Sequence, residues 1–223
     1  MFNAIAGRYD FLNHFLSFGI DYNWRKILVK VLKNHNPNKI LDVATGTADL
    51  AIKAAKKTSA EILGIDISKE MLEIGKKKVE KLGLQNRISL LEADAENLPF
   101  QNDSFDAVMV SFGVRNFENL DKGLEEIYRV LKPGGIFLVL EFSQPDEFPE
   151  KQLYGFYSRF ILPFFGRIFS GDKRAYSYLP ESVIAFPYGQ SFLERMKAIG
   201  YNNLSYKKLT FGVATLYIAY KIN

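Results

Sequence analysis

Apolar residues along this chain fall into short runs that alternate with stretches of helical spacing. Apolar positions three and four residues apart predict helices over 23–34, 49–57, 69–82, 121–131 and 190–199. Continuous or alternating apolar runs predict strands over 39–44, 61–66, 88–91, 105–112, 135–142, 204–211 and 213–220. Such an alternation of strands and helices requires a parallel sheet through most of the chain.

The last two predicted strands differ from the rest because only Gly212 separates them. Strands joined by so short a link must be antiparallel. We therefore predict an α/β fold with a mostly parallel seven-stranded sheet and an antiparallel C-terminal hairpin. This arrangement resembles the Rossmann-like fold of class I S-adenosylmethionine-dependent methyltransferases.

The length of 223 residues fits one domain, which we divide into four parts. These are lid helices over 1–36, a cofactor-binding core over 37–146, an aromatic insertion over 147–190, and a C-terminal helix and hairpin over 191–223. The helix over 69–82 has local signals of its own. Ser68 is its predicted N-cap and Gly83 its stop, and its predicted inner face consists of Met71, Leu72, Gly75 and Val79.

Composition narrows the possible function classes. The chain has no cysteine, which excludes disulfides and thiolate chemistry. Its formal charge of +4 is scattered without a basic tract, so we expect no nucleic-acid partner. No apolar window is long enough to span a membrane, and the start at Met1 lacks the pattern of a leader peptide. These features predict a cytoplasmic protein.

The turn after the first strand favours a cofactor without a phosphate. A nicotinamide fingerprint needs three glycines there, whereas this turn has only Gly46, between Thr45 and Thr47. We expect Asp42 to orient the turn through backbone amides, and Asp49 to do the same or to meet the methionine ammonium. An ordinary strand-to-helix connection is the rival interpretation, and a nicotinamide dehydrogenase is a more distant one.

Two further acidic positions follow the second and third strands. Asp66 could accept both hydroxyls of a ribose. Asp94 could accept from the exocyclic amine of adenine, and the Ala95 backbone could complete that contact. A lone Asp-Ala pair is usually a surface turn, but three such pieces in order at the carboxyl ends of strands one to three predict bound S-adenosylmethionine.

Longer motifs resemble one family, the ubiquinone/menaquinone biosynthesis C-methyltransferases. The resemblance covers nearly the whole chain and rests on the runs at 8–19, 94–100, 111–116, 128–135 and 140–143. The run Phe112-Gly113-Val114-Arg115-Asn116 is the specific one, whereas the run over 129–135 is shared by many methyltransferases. Members usually carry residues before this point, which leaves open whether Met1 is the natural start.

The resemblance implies cofactor contacts at Thr47, Asp66, Asp94, Ala95 and Ser111. Two positions depart from the family pattern. Ala48 stands where the family often has glycine, and we expect it to adopt an ordinary backbone conformation that alters the turn slightly. Asp94 stands where the family often has asparagine, and an ionised carboxylate still suits an amine donor.

The implied reaction moves a methyl from S-adenosylmethionine to a ring carbon of a prenylated demethylquinol, with demethylmenaquinol favoured. Arg115 is the first candidate near the quinol, as a cation that stabilises a phenolate or organises water, with Asn116 as its hydrogen-bonding partner. A structural pair between Arg115 and a carboxylate is the alternative. Tyr9 and Asp10 could line the lid or could simply cap an N-terminal helix, and His14 is a minor candidate for a general base.

His35 lies in a polar link, where a structural role is favoured over catalysis. No cluster of residues has metal-ligand spacing, so we predict no metal. Another small aromatic acceptor and a non-catalytic module that binds S-adenosylmethionine remain alternatives. The sequence leaves open the head group, the tail length and whether the chain forms a homo-oligomer.

The insertion is rich in aromatic residues and carries Arg159, Arg167, Lys173 and Arg174. We expect core packing to account for most of its aromatic residues, with a few left to form a wall for a flat, apolar substrate. A prenyl tail keeps the substrate in the bilayer, because each buried methylene contributes about 0.8 kcal/mol. We therefore predict that residues 154–178 form the quinol entrance and a transient contact with the inner face of the membrane.

Overall fold

The fold is built on one twisted sheet with helices on both of its faces. The computed structural model describes residues 19–145, Gln152 and residues 182–222. Within them the helices are α1 Asp21–His35, α2 Asp49–Ala55, α3 Lys69–Lys81, α4 Leu120–Val130 and α5 Gln190–Ile199. The strands are β1 Lys39–Val43, β2 Glu61–Asp66, β3 Ile88–Glu92, β4 Phe105–Ser111, β5 Leu131–Phe142, β6 Asn202–Leu209 and β7 Ala214–Tyr220.

The sheet has seven strands in the order β3-β2-β1-β4-β5-β7-β6. The pairs from β3 to β5 are parallel, whereas β5 with β7 and β7 with β6 are antiparallel. The strand order reverses beside β1, so a crevice opens between the carboxyl ends of β1 and β4. The predicted fold class and antiparallel C-terminal hairpin are confirmed.

Two buried clusters hold the layers together. One lies between the sheet and the helices α1 and α2, and includes Trp24, Leu28 and Leu32 from the first helix. The other lies on the opposite face, where Leu124 and Ile127 of α4 meet residues of β4, β5 and α5. The central strands are buried on both faces, which explains their continuous apolar sequences.

Local signals set the limits of α3 as predicted. The Ser68 hydroxyl accepts from the Met71 backbone N–H, and Gly83 has a positive φ just beyond the helix. The buried residues of α3 are the four predicted ones, Met71, Leu72, Gly75 and Val79. At the end of α1, Asn36 in the left-handed region terminates the helix before Pro37.

The main boundary error is at β5, which begins at Leu131 and not at residue 135. Backbone hydrogen bonds from Gly134 to Lys221 and from Lys221 to Gly135 continue the strand through its glycines. The register of the β4–β5 pair shifts between Phe105 and Ala107, and this shift accommodates the additional residues at the start of β5. The sequence suggested a loop because it shows the two glycines but not the chain end that pairs with them.

Much of the predicted lid and of the insertion lies outside the described residues, including all of 1–18 and 153–181. The described part of the lid is α1. Among the described residues, no helix has both the length and the apolar character that crossing a membrane requires.

Candidate active site

A cavity of about 110 Å³ opens at the carboxyl edge of the parallel strands. Its wall is formed by the turns that follow β1, β2, β3 and β4. The lining residues include Gly46, Asp66, Asp94, Ala95, Ser111, Asn116 and Phe117. The fold therefore brings together most of the residues that the sequence predicted for the cofactor, although they lie far apart along the chain.

The turn after β1 has an unusual backbone. Ala44, Gly46 and Ala48 all have positive φ angles, of 53°, 57° and 67°. The expectation that Ala48 adopts an ordinary conformation is wrong, since it lies in the left-handed region just before α2. Hydrogen bonds on both sides of the turn impose this conformation, so alanine occupies the geometry that glycine would adopt without strain.

Asp66 joins two backbone segments at the cavity wall. Its Oδ2 accepts from the Gly46 N–H at 2.8 Å, and its Oδ1 accepts from the Ser68 N–H at 2.8 Å. Burial raises the pKa of this carboxyl, although these amides oppose the shift. Each oxygen can accept a second hydrogen bond, so the pair of ribose hydroxyls expected from the sequence fits this position.

The segment after β3 lies beside Asp66. The Ala93 N–H donates to the Asp66 carbonyl oxygen at 3.1 Å, which places Asp94 and Ala95 at the cavity. Asp94 Oδ1 also accepts from the Glu96 N–H at 2.9 Å. Asp94 thus forms the ordinary surface turn that a lone Asp-Ala pair usually indicates, and it also lines the cavity. Its other carboxylate oxygen can accept from an adenine amine.

Ser111 at the end of β4 also suits a ligand. Its hydroxyl oxygen is buried and has no hydrogen-bond partner among the described residues. Buried hydroxyl groups normally have a partner, and this one lies at the wall of the cavity. A cofactor with several polar groups fits such a position.

Asp42 stabilises the turn after β1 but does not belong to the described cavity wall. Its Oδ2 accepts from the Thr45 hydroxyl at 2.7 Å. Burial raises the pKa of Asp42 to about 7, while hydrogen bonds from Thr45 and the Ala51 backbone counteract this shift. These hydrogen bonds agree with the predicted orienting role, and one of the donors is a side-chain hydroxyl.

Lys78 on α3 is a residue that sequence reasoning missed. Its Nζ donates to Thr47 Oγ1 at 2.6 Å and to Asp49 Oδ1 at 2.9 Å. Thr47 is buried under this contact and does not line the described cavity wall, so its direct contact with the cofactor stays a prediction. The spacing of α3 places Lys78 beside the buried face but does not reveal partners about thirty residues away.

Arg115 is held in a buried ion pair next to the cavity. Its Nη1 donates to Glu141 Oε1 at 2.5 Å and to the Phe112 carbonyl oxygen at 2.7 Å. The two side chains are 2% and 0% exposed. Burial raises the pKa of Glu141 in spite of the guanidinium beside it. Arg115 is absent from the described cavity wall, which includes its neighbour Asn116.

Glu141 was not predicted as a site residue, although it lies in the run over 140–143 that carries part of the resemblance. The sequence signal that could have identified it is a carboxylate inside an otherwise apolar strand. The alternative of an Arg-carboxylate pair is therefore the arrangement that the structure contains.

Comparison with known proteins then decides the family. The model of the ubiE/COQ5 methyltransferase family matches residues 1–221. The chain belongs to this family. Its membership agrees with the cavity geometry, and it confirms the predicted enzyme class and S-adenosylmethionine as the cofactor.

Relatives in the ubiE/COQ5 family match nearly end to end. A Bacteroides fragilis protein called demethylmenaquinone methyltransferase is 47% identical, with 99% of this chain and 91% of the relative covered. A Geotalea daltonii protein called ubiquinone/menaquinone biosynthesis C-methyltransferase UbiE is 48% identical, with 99% and 94% covered. A crystal structure of a SAM-dependent methyltransferase from Aquifex aeolicus has a TM-score of 0.60 at 21% identity, over 85% of this chain and 87% of that one, which supports the fold.

The remaining predicted residues lie away from this cavity or outside the described ranges. His35 ends α1 near Asp106, at the opposite edge of the sheet, and burial lowers its pKa. Tyr9 and His14 fall outside the described residues. Within those residues, no group of three or more potential ligands could hold a metal ion.

Proposed function

We propose that this ubiE/COQ5 family member methylates a ring carbon of a prenylated demethylquinol, with demethylmenaquinol as its substrate. The observation that carries the proposal is the cavity wall that runs from Asp66 and Asp94 to Asn116 and Phe117. One end of this wall has the acceptors that suit an adenosine. The other end has an amide and an aromatic ring that suit a flat, partly polar acceptor, and the relative from Bacteroides fragilis bears the name of this activity.

The cofactor supplies, when bound, an electrophilic methyl group on a positively charged sulfur. In the proposed assignment Asp66 binds the ribose hydroxyls, Asp94 and Ala95 bind the adenine edge, and the Ser111 hydroxyl meets a further polar group. These residues hold the methyl donor in one orientation. Positioning is the main contribution that such a transfer needs from the protein.

The acceptor carbon becomes nucleophilic when a neighbouring quinol hydroxyl loses its proton. Asn116 lines the cavity and is the residue that would contact the quinol oxygen. Arg115 stays protonated at ordinary pH, and its pairing with Glu141 leaves little net charge for a phenolate. We therefore assign Arg115 as a positioning residue for the turn that carries Asn116, while Tyr9 remains a predicted catalytic residue.

Variants of the buried pair separate structure from activity. Arg115→Met leaves Glu141 unpaired and should lower the free energy of unfolding by about 3–5 kcal/mol. The double variant Arg115→Met with Glu141→Gln should recover part of that stability, while methyl transfer stays reduced at least tenfold in kcat. Urea unfolding and single-turnover kinetics measure the two quantities. Full recovery of kcat in the double variant would contradict a positioning role.

The substrate is tested by turnover on two acceptors. We expect a methylated product, detected by mass spectrometry, from demethylmenaquinol. A demethoxylated ubiquinol precursor is the matched benzoquinol, and product from it alone would assign the other head group. Product from neither acceptor would refute the demethylquinol proposal and favour another small aromatic acceptor.

We also retain the proposal that residues 154–178 contact the membrane surface. It rests on their aromatic and basic sequence, and all of them lie outside the described residues. Charge reversal of Arg167 and Arg174 should weaken liposome binding and lower turnover of a long-tailed substrate. Unchanged values of both would refute it.

A further inference from the structure

The link between β6 and β7 displays an aromatic side chain to solvent. Phe211 is 78% exposed, the highest value among the exposed large apolar residues that the structure describes. Its φ of 56° and that of Thr210, 44°, lie in the left-handed region. This region is unfavourable for a bulky side chain, so the surrounding structure must hold Phe211 in place.

Contacts with three residues, Trp24, Ser143 and Pro145, hold this link in place. The Trp24 indole N–H donates to Thr210 Oγ1 at 2.8 Å. The Ser143 hydroxyl donates to the Gly212 carbonyl oxygen at 2.8 Å, and the Ser143 N–H donates to the Val213 carbonyl oxygen at 3.0 Å. A Cβ on Gly212 would lie 3.3 Å from the Pro145 Cα, so the link packs against the segment just after β5. The exposed ring therefore stands on a fixed base.

The link lies at the same edge of the sheet as the cavity. Ala214 at the start of β7 pairs with Phe142 at the end of β5. The Phe142 ring stacks on the Phe112 ring with centroids 4.5 Å apart, and Phe112 lines the cavity. A surface that approached Phe211 would therefore face the edge that carries the active site.

The charged residues of β6 and β7 are all lysines. Lys207 and Lys208 precede the link on β6, and both are exposed. From Arg195 to the end of the chain there are five lysines and arginines and no aspartate or glutamate. Lysines beside an exposed aromatic ring complement the anionic headgroups and the interfacial region of a lipid bilayer.

We propose that Lys207, Lys208 and Phe211 form a docking tip for an anionic membrane surface. Phe211 inserts at the interface, the two lysines meet lipid headgroups, and the cavity edge then faces the bilayer. The choice of a membrane as the partner rests on the proposed function, because a prenylated acceptor resides in the bilayer. The tip is distinct from residues 154–178 and can be tested separately.

The variant Phe211→Asn is the sharpest test of the aromatic ring. Asparagine tolerates the left-handed region, so the melting temperature should stay equal or rise. Sedimentation with vesicles of mixed neutral and anionic lipids should show roughly tenfold weaker partitioning, the loss expected for one exposed phenylalanine. Leu82→Asn is the matched control, because Leu82 is 46% exposed and lies at the end of α3, at the opposite edge of the sheet.

Charge reversal tests the lysines. Lys207→Glu with Lys208→Glu should weaken binding to anionic vesicles by at least about fivefold per lysine, with a smaller effect on neutral vesicles. Lys56→Glu with Lys57→Glu is the control, since this second exposed lysine pair follows α2 at the opposite edge. Equal losses in the two double variants would overturn the docking tip in favour of a general effect of net charge.

Turnover separates this proposal from the proposed function. Phe211→Asn should keep wild-type turnover on a tail-less demethylmenaquinol in solution and lose it several-fold on a long-tailed one in vesicles. If the wild type methylates neither acceptor, the proposed function fails while the vesicle assay still decides the tip. Wild-type vesicle binding by Phe211→Asn overturns the tip as a membrane contact, whatever the turnover, and points to a protein partner.

Discussion

Lys78 shows how one side chain can control the cofactor turn without touching the cavity. It links Thr47 and Asp49, the residues on either side of the strained Ala48. Its ammonium group also offsets the carboxylate that begins α2. Thr47, the residue next to Gly46, is thereby held in place by a side chain of α3, the helix that connects β2 to β3.

We predict that Lys78→Met weakens cofactor binding with little effect on the chemical step. Loss of two charge-assisted hydrogen bonds at a partly exposed site should raise KM for S-adenosylmethionine on the order of tenfold, with kcat nearly unchanged. Lys78→Arg should restore much of the affinity. Calorimetry with S-adenosylhomocysteine measures it directly.

Lys76→Met is the control for this prediction. Lys76 lies on the same helix, is exposed and pairs only with Glu73 among the described residues. Its affinity for S-adenosylhomocysteine should equal that of the wild type. The same affinity in Lys78→Met would show that the turn keeps its geometry without the lysine.

At the scale of elements, the site depends on how closely β2 approaches the turn after β1. Gly64 lies on β2, and a Cβ there would be 2.8 Å from Thr45 Oγ1 and 2.7 Å from Leu90 Cδ2. The Thr45 hydroxyl donates the hydrogen bond to Asp42 that stabilises the turn. The absence of a side chain at Gly64 therefore allows the hydrogen bond beneath the turn to form.

We predict that Gly64→Ala destabilises the protein by about 1–3 kcal/mol, as overpacked sites commonly do. Displacement of Thr45 should also weaken binding of S-adenosylhomocysteine. Urea unfolding and calorimetry measure these effects, and Ser89→Ala at an exposed position of β3 is the control. Wild-type stability together with wild-type affinity would mean that Leu90 and Thr45 yield at little cost.

At the scale of the whole molecule, two buried carboxyl groups outside the Arg115–Glu141 pair make stability depend on pH. Burial raises the pKa of Asp42 to about 7, and it raises the pKa of Asp66 as well. A carboxyl group with a raised pKa holds its proton in the native state while the unfolded chain has already lost it. Stability is then greatest below the unfolded pKa and falls as pH rises.

We predict that stability falls between about pH 4 and pH 7, and that Asp42→Asn removes part of this fall. A pKa unit corresponds to about 1.4 kcal/mol, so the part due to Asp42 is on the order of a few kcal/mol. Urea unfolding at pH 5, 6, 7 and 8 measures it. Glu118→Gln, at an exposed position, is the control and should keep the wild-type slope, whereas an unchanged slope in Asp42→Asn would contradict the prediction.

Most of the fold and part of the site could be predicted from the sequence. The periodicity located every described strand and the five helices, because burial on one or both faces leaves its mark on the order of residues. Asp66, Asp94 and Ala95 could be placed at one edge, since the carboxyl ends of parallel strands meet there, and the resemblance added Ser111. The resemblance supplied the enzyme class and pointed to Asn116.

The sequence by itself determined the sheet, its antiparallel hairpin and the cofactor class, because these depend on local periodicity and on short motifs. Only the tertiary structure decided the conformation of Ala48, the contacts of Lys78 and the pairing of Arg115 with Glu141. The partners of Lys78 and of Arg115 lie 26 to 31 residues away along the chain. The orientation of Phe211 belongs to the same class, because it is imposed by contacts from α1 and from the segment just after β5.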